Sequence, residues 1–434
     1  MKHEMSALIG DALSGVMPAL ALRGADQFAC EGGDLDFIVP PGQAVTACNV
    51  VAKAAHERGW FLAAFRDIGY LAQIVLMRPV AGYVDDAIKI DFFDGLRWYG
   101  VGTDTAGHRL FESHVPIQKP EPKLAGAAGF FQKVLIVGRV SGRDWTRVTA
   151  TGADAAYLAD TAQALGLPIT YPQIEARGVS GLAKWRLRAA SGGVAGPFSA
   201  LTWFRSATLA HLRFKLGIGT GMGLVLGVSG LDGSGKSTLV DRLIAAYRKA
   251  GGEQPELIHL LQPWIPMPHQ ILRRSKTQTN YTRPYSEPPV SSKLNGGLRL
   301  AFYLCAFTLA RLSMWVEVKR GRLIILDRSF LDFASDLTRS RIPARRLPGR
   351  LLRALMPEGR LFYLDASPEN VVARKGELTL EKAHSLRASY LETCDTVGAT
   401  VLDGNVAPDD VFRELLANLS LEYMKRIEAA EARK

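Results

Sequence analysis

Gly230-Leu231-Asp232-Gly233-Ser234-Gly235-Lys236-Ser237-Thr238 meets every fixed position of the pattern Gly-x-x-x-x-Gly-Lys-Ser/Thr. The apolar run Leu224 to Ser229 before it reads as a buried strand. Thr238 to Lys249 after it carries apolar residues at helical spacing. A glycine-rich loop between a strand and a helix has a definite physical use, the alternative being a turn that happens to match. Its glycines adopt backbone angles closed to other residues, so successive N–H groups turn inward toward the oxygens of a phosphate. The following helix adds the positive end of its dipole.

In that context Gly230, Asp232, Gly233, Ser234, Gly235, Lys236, Ser237 and Thr238 are the candidate nucleotide-binding residues. Lys236 is placed to reach the β and γ phosphates of ATP, and the Ser237 hydroxyl to ligate Mg2+. Further on, Leu323-Ile324-Ile325-Leu326-Asp327-Arg328 is an apolar strand ending in a carboxylate and a guanidinium. In a parallel sheet that binds ligands at the carboxyl ends of its strands, these two residues fall beside the phosphate loop. Asp327 then holds Mg2+ through water or orients the acceptor, and Arg328 pairs with an anionic oxygen; the alternative is a strand-end ion pair. A third strand, Leu361 to Asp365, leads to a helix start at Ser367-Pro368-Glu369. That helix carries Arg374 and Lys375, with Gly376 and Glu377 beyond. The basic pair suits a lid whose cations stabilise the transferred phosphoryl group, and Arg387 in the next helix is a third candidate.

At 434 residues the chain exceeds what one core supports, so two domains are expected. The segment Ser191 to Pro197 reads as a linker. The expected division is an N-terminal domain over 1–195, a basic linker helix over 196–221 and a phosphate-loop domain over 222–434. Gly217 to Gly223 imitates a dinucleotide fingerprint but precedes a strand rather than following one, and reads as a turn. The four cysteines and eight histidines lack metal-site spacing, and the first residues lack a signal-peptide core; a reduced, cytoplasmic protein is expected. Leu216–Leu231 and Leu300–Val316 are the most membrane-like stretches, and read better as a buried strand and a buried helix.

Net charge is +11, unevenly spread. Between Glu175 and Asp232 there is no carboxylate, while Arg177, Lys184, Arg186, Arg188, Arg205, Arg213 and Lys215 all fall there. Arg339, Arg341, Arg345, Arg346, Arg350 and Arg353 form a second cluster. Readings are an anionic membrane surface met through the linker, a solvated face, or service to nucleotide phosphates. Nucleic acid is disfavoured as a partner against a solvated basic face. An oligomer is compatible with the sequence.

In the N-terminal part, Gly32-Gly33-Asp34-Leu35-Asp36-Phe37-Ile38-Val39 puts Asp34 and Asp36 on one face of a strand. A later strand, Ala87 to Phe93, offers Asp91 as a third carboxylate, giving a candidate metal site of Asp34, Asp36 and Asp91. The alternative is an acidic strand near a turn. Ala153 to Leu165 reads as a helix of the same domain.

From about 222 to 425 the chain resembles thymidylate kinases, in the phosphate loop at 230–238, in Asp327-Arg328-Ser329, and in Tyr363-Leu364-Asp365-Ala366-Ser367-Pro368-Glu369 followed by Arg374. Ser329 stands at an aromatic position of that family. Leu261-Gln262-Pro263-Trp264 stands where a substrate-binding arginine segment belongs, and 266–298 reads as an insertion. The N-terminal stretch resembles polymerase-beta-type nucleotidyltransferases, with Gly24-Ala25 at their Gly-Ser position. These resemblances imply an α/β P-loop NTPase fold with a parallel sheet and flanking helices, preceded by an α+β nucleotidyltransferase-like domain. They imply transfer of the γ-phosphoryl group of ATP, with Mg2+, to a small-molecule acceptor, either a nucleoside monophosphate or a sugar. The alternative implied is nucleotidyl transfer by the N-terminal triad in surface-polysaccharide metabolism, with the phosphate loop binding or sensing nucleotide.

Overall fold

The computed structural model describes residues 2–22, 34–80, 85–98, 104–112, 122–194, 197–215, 223–251, 255–259, 293–337, 348–355, 359–375 and 378–433. Gly24-Ala25, Gly32-Gly33, the turn at 217–222, the 261–264 segment, residues 266–292 of the expected insertion, the arginines from 339 to 346, and Gly376-Glu377 lie outside them. The chain divides into two compact units. One comprises Met1–Met222, Ala246–Gly252 and Leu416–Lys434, the other Gly223–Ala245 and Glu253–Leu415.

The first unit is built on strands β1 (Leu20–Ala21), β2 (Leu35–Val39), β3 (Phe61–Asp67), β4 (Leu71–Arg78) and β5 (Asp86–Asp94), in the order β1-β2-β5-β4-β3. β2 and β5 run parallel and the other neighbours antiparallel. The β3–β4 hairpin turns where Gly69 takes φ +87 and donates its N–H to Asp67 Oδ1 at 2.9 Å. Helix Ala44–Glu57 buries Val45, Cys48, Val51 and Ala55 at positions three to four apart, which is why this run is helical. A bundle of helices between Pro122 and Ser191 closes over Phe130 and Phe131, both fully buried. Burying each is worth roughly 1.5–3 kcal/mol. Two of its helices begin on side-chain caps, Ser141 accepting from the Asp144 N–H and Asp154 from the Tyr157 N–H, so the helix expected over 153–165 starts at Ala155.

Three stretches differ from the sequence expectation, the shortest being Ala246–Gly252, expected in the phosphate-loop domain and belonging to the first unit. Helix Pro197–Lys215, expected as a linker, belongs to the first unit, because Trp203 and Ala207 are buried and Trp203 packs on Trp98 and Trp185. Residues 416–434, expected in the phosphate-loop domain, also belong to the first unit. There Ser420 Oγ accepts the Leu62 N–H at 3.1 Å and Glu431 accepts from Asn49 at 2.6 Å.

The second unit holds β6 (Leu224–Gly230), β7 (Glu256–His259), β8 (Leu323–Asp327), β9 (Gly359–Asp365) and β10 (Thr400–Asp403). Their order is β10-β9-β6-β8-β7 and every pair is parallel. β6 is buried along its whole length, as its unbroken apolar run requires of a central parallel strand. Strand order reverses on either side of β6, so its carboxyl end is the switch point where α/β sheets bind ligands. Helix Lys293–Lys319 corrects the expectation of a buried helix over 300–316. Ala306, Phe307, Ala310 and Met314 enter the core, but Leu309, Leu312 and Trp315 are exposed. From Gly296 to Lys319 it is long and apolar enough to cross a membrane, by length and composition, with 22% of its most apolar window buried.

Candidate functional site

The phosphate loop leaves β6 at its carboxyl end, and helix Lys236–Ala250 begins at the loop's lysine. Gly233 and Gly235 take φ +100 and +106, a region a side chain resists. The Lys236 ammonium is buried and donates to the carbonyls of Gly230 and Leu231, each at 2.8 Å, with Asp232 Oδ1 at 3.8 Å. Burial lowers its pKa, Asp332, Asp232 and Asp327 counter that, and nearby Arg328 adds to the lowering. Ser234 Oγ is buried without a hydrogen-bond partner among the described residues. An orphaned hydroxyl, a buried ammonium and a glycine-rich loop at the start of a helix are a donor set that fits phosphate. Ser237 and Thr238 stand exposed in the first turn of the helix.

Asp327 ends β8, in register with Val228 of β6, and its charge is felt at Lys236. The hydroxyl of Ser237 and the carboxylate of Asp327 suit Mg2+, a hard cation that takes oxygen ligands. Arg328 follows at φ +72, a left-handed conformation costing about 1–3 kcal/mol in a residue other than glycine. From there its guanidinium meets Asp232 Oδ1 at 2.8 Å, so the expected anionic partner is, in this state, a carboxylate of the loop itself. Arg374, at the end of helix Pro368–Lys375, donates to the Gly233 carbonyl at 3.3 Å. A Cβ on Gly233 would lie 3.7 Å from those of both Arg374 and Lys375, so the expected lid residues do border the loop. Arg387 is placed differently. It makes a two-pronged pair with Asp365 at the end of β9, both contacts 2.7 Å.

Sequence reasoning missed a buried network beneath the loop. Ser229, the residue before Gly230, donates to Asp332 Oδ2 at 2.6 Å and lies 2.9 Å from the Ser329 hydroxyl. Since the Ser229 hydrogen goes to Asp332, Ser329 donates to Ser229. The Ser329 N–H and the Tyr390 hydroxyl also donate to Asp332, at 2.8 and 2.9 Å. Ser329 and Asp332 form the capping box of helix Phe330–Ser335. The Ser-x-x-Asp spacing was the available signal. Ser329 thus ties the helix start to the phosphate-loop strand, where the resembling family has an aromatic.

In the first unit, Asp36 of β2 lies directly opposite Asp91 of β5, with Asp34 just before β2. Carboxylate oxygens of the three lie within 4.8 Å of one another. Lys89, two residues before Asp91 on β5, puts its ammonium 2.6 Å from Asp34 and 3.5 Å from Asp91. Gln73 of β4 donates to Asp91 at 3.0 Å. Burial pushes the Asp91 carboxyl up to about 7, against the pull of Lys89. Lys89 itself is raised, because Asp91 and Asp34 outweigh the cost of its burial. An all-oxygen set of this size fits Mg2+. Neither Lys89 nor Gln73 was anticipated, although strand period places Lys89 on the face of Asp91.

The triad opens on a cleft of about 220 Å³, whose walls include Phe93, Gly126, Gly129, Gln132, Lys133 and Arg147. Gln132 is buried there, with both amide atoms lacking a partner among the described residues.

No protein-family model and no curated protein matches the chain. Among solved structures, thymidylate kinase from Candida albicans is similar at 16% identity and a TM-score of 0.34, over 47% of this chain and 93% of that one. Deoxyadenosine kinase from M. mycoides, solved with bound dATP, is similar at 15% identity and a TM-score of 0.29, over 45% of this chain and 98% of that one.

Proposed function

We propose that the chain is an ATP-dependent phosphotransferase acting through its second unit. The observation that carries this reading is the phosphate loop with Asp327, Arg328 and Arg374 gathered around it at the end of the central strand. Binding a triphosphate exchanges the carbonyl partners of Lys236 for phosphate oxygens, a stronger charge-assisted pairing. Mg2+, held by Ser237 and Asp327, would neutralise charge on the β and γ phosphates. Asp327 orients the acceptor hydroxyl or phosphate. Arg328 exchanges Asp232 for an oxygen of the reacting group, and Arg374, already against Gly233, adds a cation where charge develops. The acceptor is a small molecule, a nucleoside monophosphate or a sugar.

A labelled-ATP screen over nucleoside monophosphates, nucleosides and sugars tests this. ATP consumption that rises with one acceptor, and is abolished in Lys236→Ala but kept in Asp34→Ala, is the expected result.

A second reading rests on the carboxylate cluster and on Gln132 facing the cleft beside it. Asp34, Asp36 and Asp91 would hold Mg2+ for nucleotidyl transfer to a sugar or phosphosugar. The Gln132 amide, donor and acceptor at once, suits a nucleobase edge or a pair of hydroxyls. Product that survives Lys236→Ala and disappears in Asp34→Ala favours this reading over the first.

A further inference from the structure

Helix Pro197–Lys215 has two apolar faces. One is accounted for, since Trp203 and Ala207 are buried and Trp203 sits on the Trp98 and Trp185 rings at 6.4 and 6.1 Å. The other is not. Leu201, Phe204, Leu209 and Leu212 are 66%, 53%, 49% and 50% exposed, and their spacing puts them along one side of the helix with Arg205 among them. Leu182 and Arg186, one turn apart on helix Gly181–Ser191 of the same unit, are also exposed.

Two features decide what such a face meets. The stripe is apolar, so water is a poor partner for it. Its sequence neighbourhood carries charge of one sign, because residues 176–231 contain no carboxylate and seven Lys and Arg, of which Arg186 and Arg205 are exposed. A second copy docked face to face would bring the two Arg205 guanidiniums together without an acid to separate them. Nucleic acid would satisfy the arginines but not the leucines. An anionic bilayer surface satisfies both, with headgroup phosphates for Arg205 and Arg186 and the upper acyl region for Leu201, Phe204, Leu209 and Leu212.

We infer that helix Pro197–Lys215 is an interfacial anchor that lies on anionic lipid. The anchor belongs to the first unit and the phosphate loop to the second, so it concerns where the protein works rather than which reaction it performs. The inward face, held by the tryptophan cluster, fixes the helix so that the leucine stripe is presented without unfolding.

The test is co-sedimentation of the full chain with vesicles of phosphatidylglycerol and phosphatidylcholine, against phosphatidylcholine alone. Binding to the anionic vesicles that weakens with added salt is expected. The pair Leu209→Gln and Leu212→Gln should lower the partition coefficient roughly tenfold or more, and Arg205→Glu about fivefold or more. Near-ultraviolet circular dichroism of the tryptophan cluster identifies variants that remain folded. Failure of the wild-type chain to bind anionic vesicles at low salt overturns the inference, as does undiminished binding by folded variants. So does sedimentation of the wild type as a dimer that the leucine pair converts to monomer, or binding to nucleic acid in place of vesicles.

Discussion

The two candidate sites solve opposite problems with the same kind of residue. Each has a lysine held inside it. Lys236 rests on two loop carbonyls in a site shaped for an anion, and its burial lowers its pKa. Lys89 rests on Asp34 and Asp91 in a site shaped for a cation, and its pKa is raised. Neutral carbonyls only partly offset the burial of an ammonium, so Lys236 gains when phosphate arrives. Carboxylates offset it fully, so Lys89 occupies the charge niche that a divalent ion would otherwise fill. One lysine assists its ligand, and the other competes with it.

Replacing both lysines with methionine separates these roles and carries the largest expected effects. Lys236→Met should reduce acceptor-dependent ATP turnover by roughly 10²–10³-fold, the scale for losing one preorganised charge-stabilising donor. Lys89→Met should leave that turnover unchanged and tighten Mn2+ binding by about tenfold, as removal of a like charge a few ångströms away implies. Electron paramagnetic resonance titration of Mn2+ reads the second effect. Weaker Mn2+ binding in Lys89→Met would mean that the ammonium organises the carboxylates instead of competing for them.

The next effect concerns support rather than contact. The phosphate-loop strand is pinned from below by Asp332, which accepts from Ser229, the Ser329 N–H and Tyr390. In the metal triad, Asp91 accepts from the side a neutral donor, Gln73. Asp332→Ala strands three donors and should lower stability by about 3 kcal/mol, whereas Gln73→Ala should cost about 1 kcal/mol. Urea unfolding of the two variants measures both. Equal losses would show that the network beneath the phosphate loop contributes no more than one hydrogen bond.

Much of this was legible beforehand, where chemistry is encoded at short range. The phosphate loop is a contiguous pattern, and Asp34 and Asp36 share a strand face two residues apart. The pairing of Asp36 with Asp91 needed only two strands to come together in parallel. Tyr390 was invisible because it reaches Asp332 across 58 residues. The pairing of Arg387 with Asp365 was hidden for a related reason: a basic residue on a helix looks alike whether it faces a ligand or a strand-end carboxylate. Unit membership failed to show at 197–215 and 416–434, where amphipathic spacing marks a buried face without naming the core it enters.

A further effect comes from pH, and it distinguishes the metal-free triad from the phosphate loop. In the folded chain burial holds Asp91 protonated up to about 7, against 3.8 for an ordinary aspartate. Between those values the folded state binds more protons than the unfolded state, so stability falls as pH rises. One such group contributes at most about 1.4 kcal/mol per pH unit, and less when Lys89 stays charged beside it. Asp104 of the same unit, also pushed up to about 7 by burial, adds a slope of the same sign. Thermal unfolding in chelator, compared at about pH 5.5 and about pH 7.5, should therefore show a lower midpoint at the higher pH. Asp91→Asn should remove part of that difference and leave the part due to Asp104. Added Mg2+ should shrink the difference in the wild type but not in Asp91→Asn, because an ion bound by the ionised carboxylate rewards the deprotonation that burial opposes. A slope that Asp91→Asn leaves intact would assign the whole effect to Asp104 and remove the contrast between the two sites.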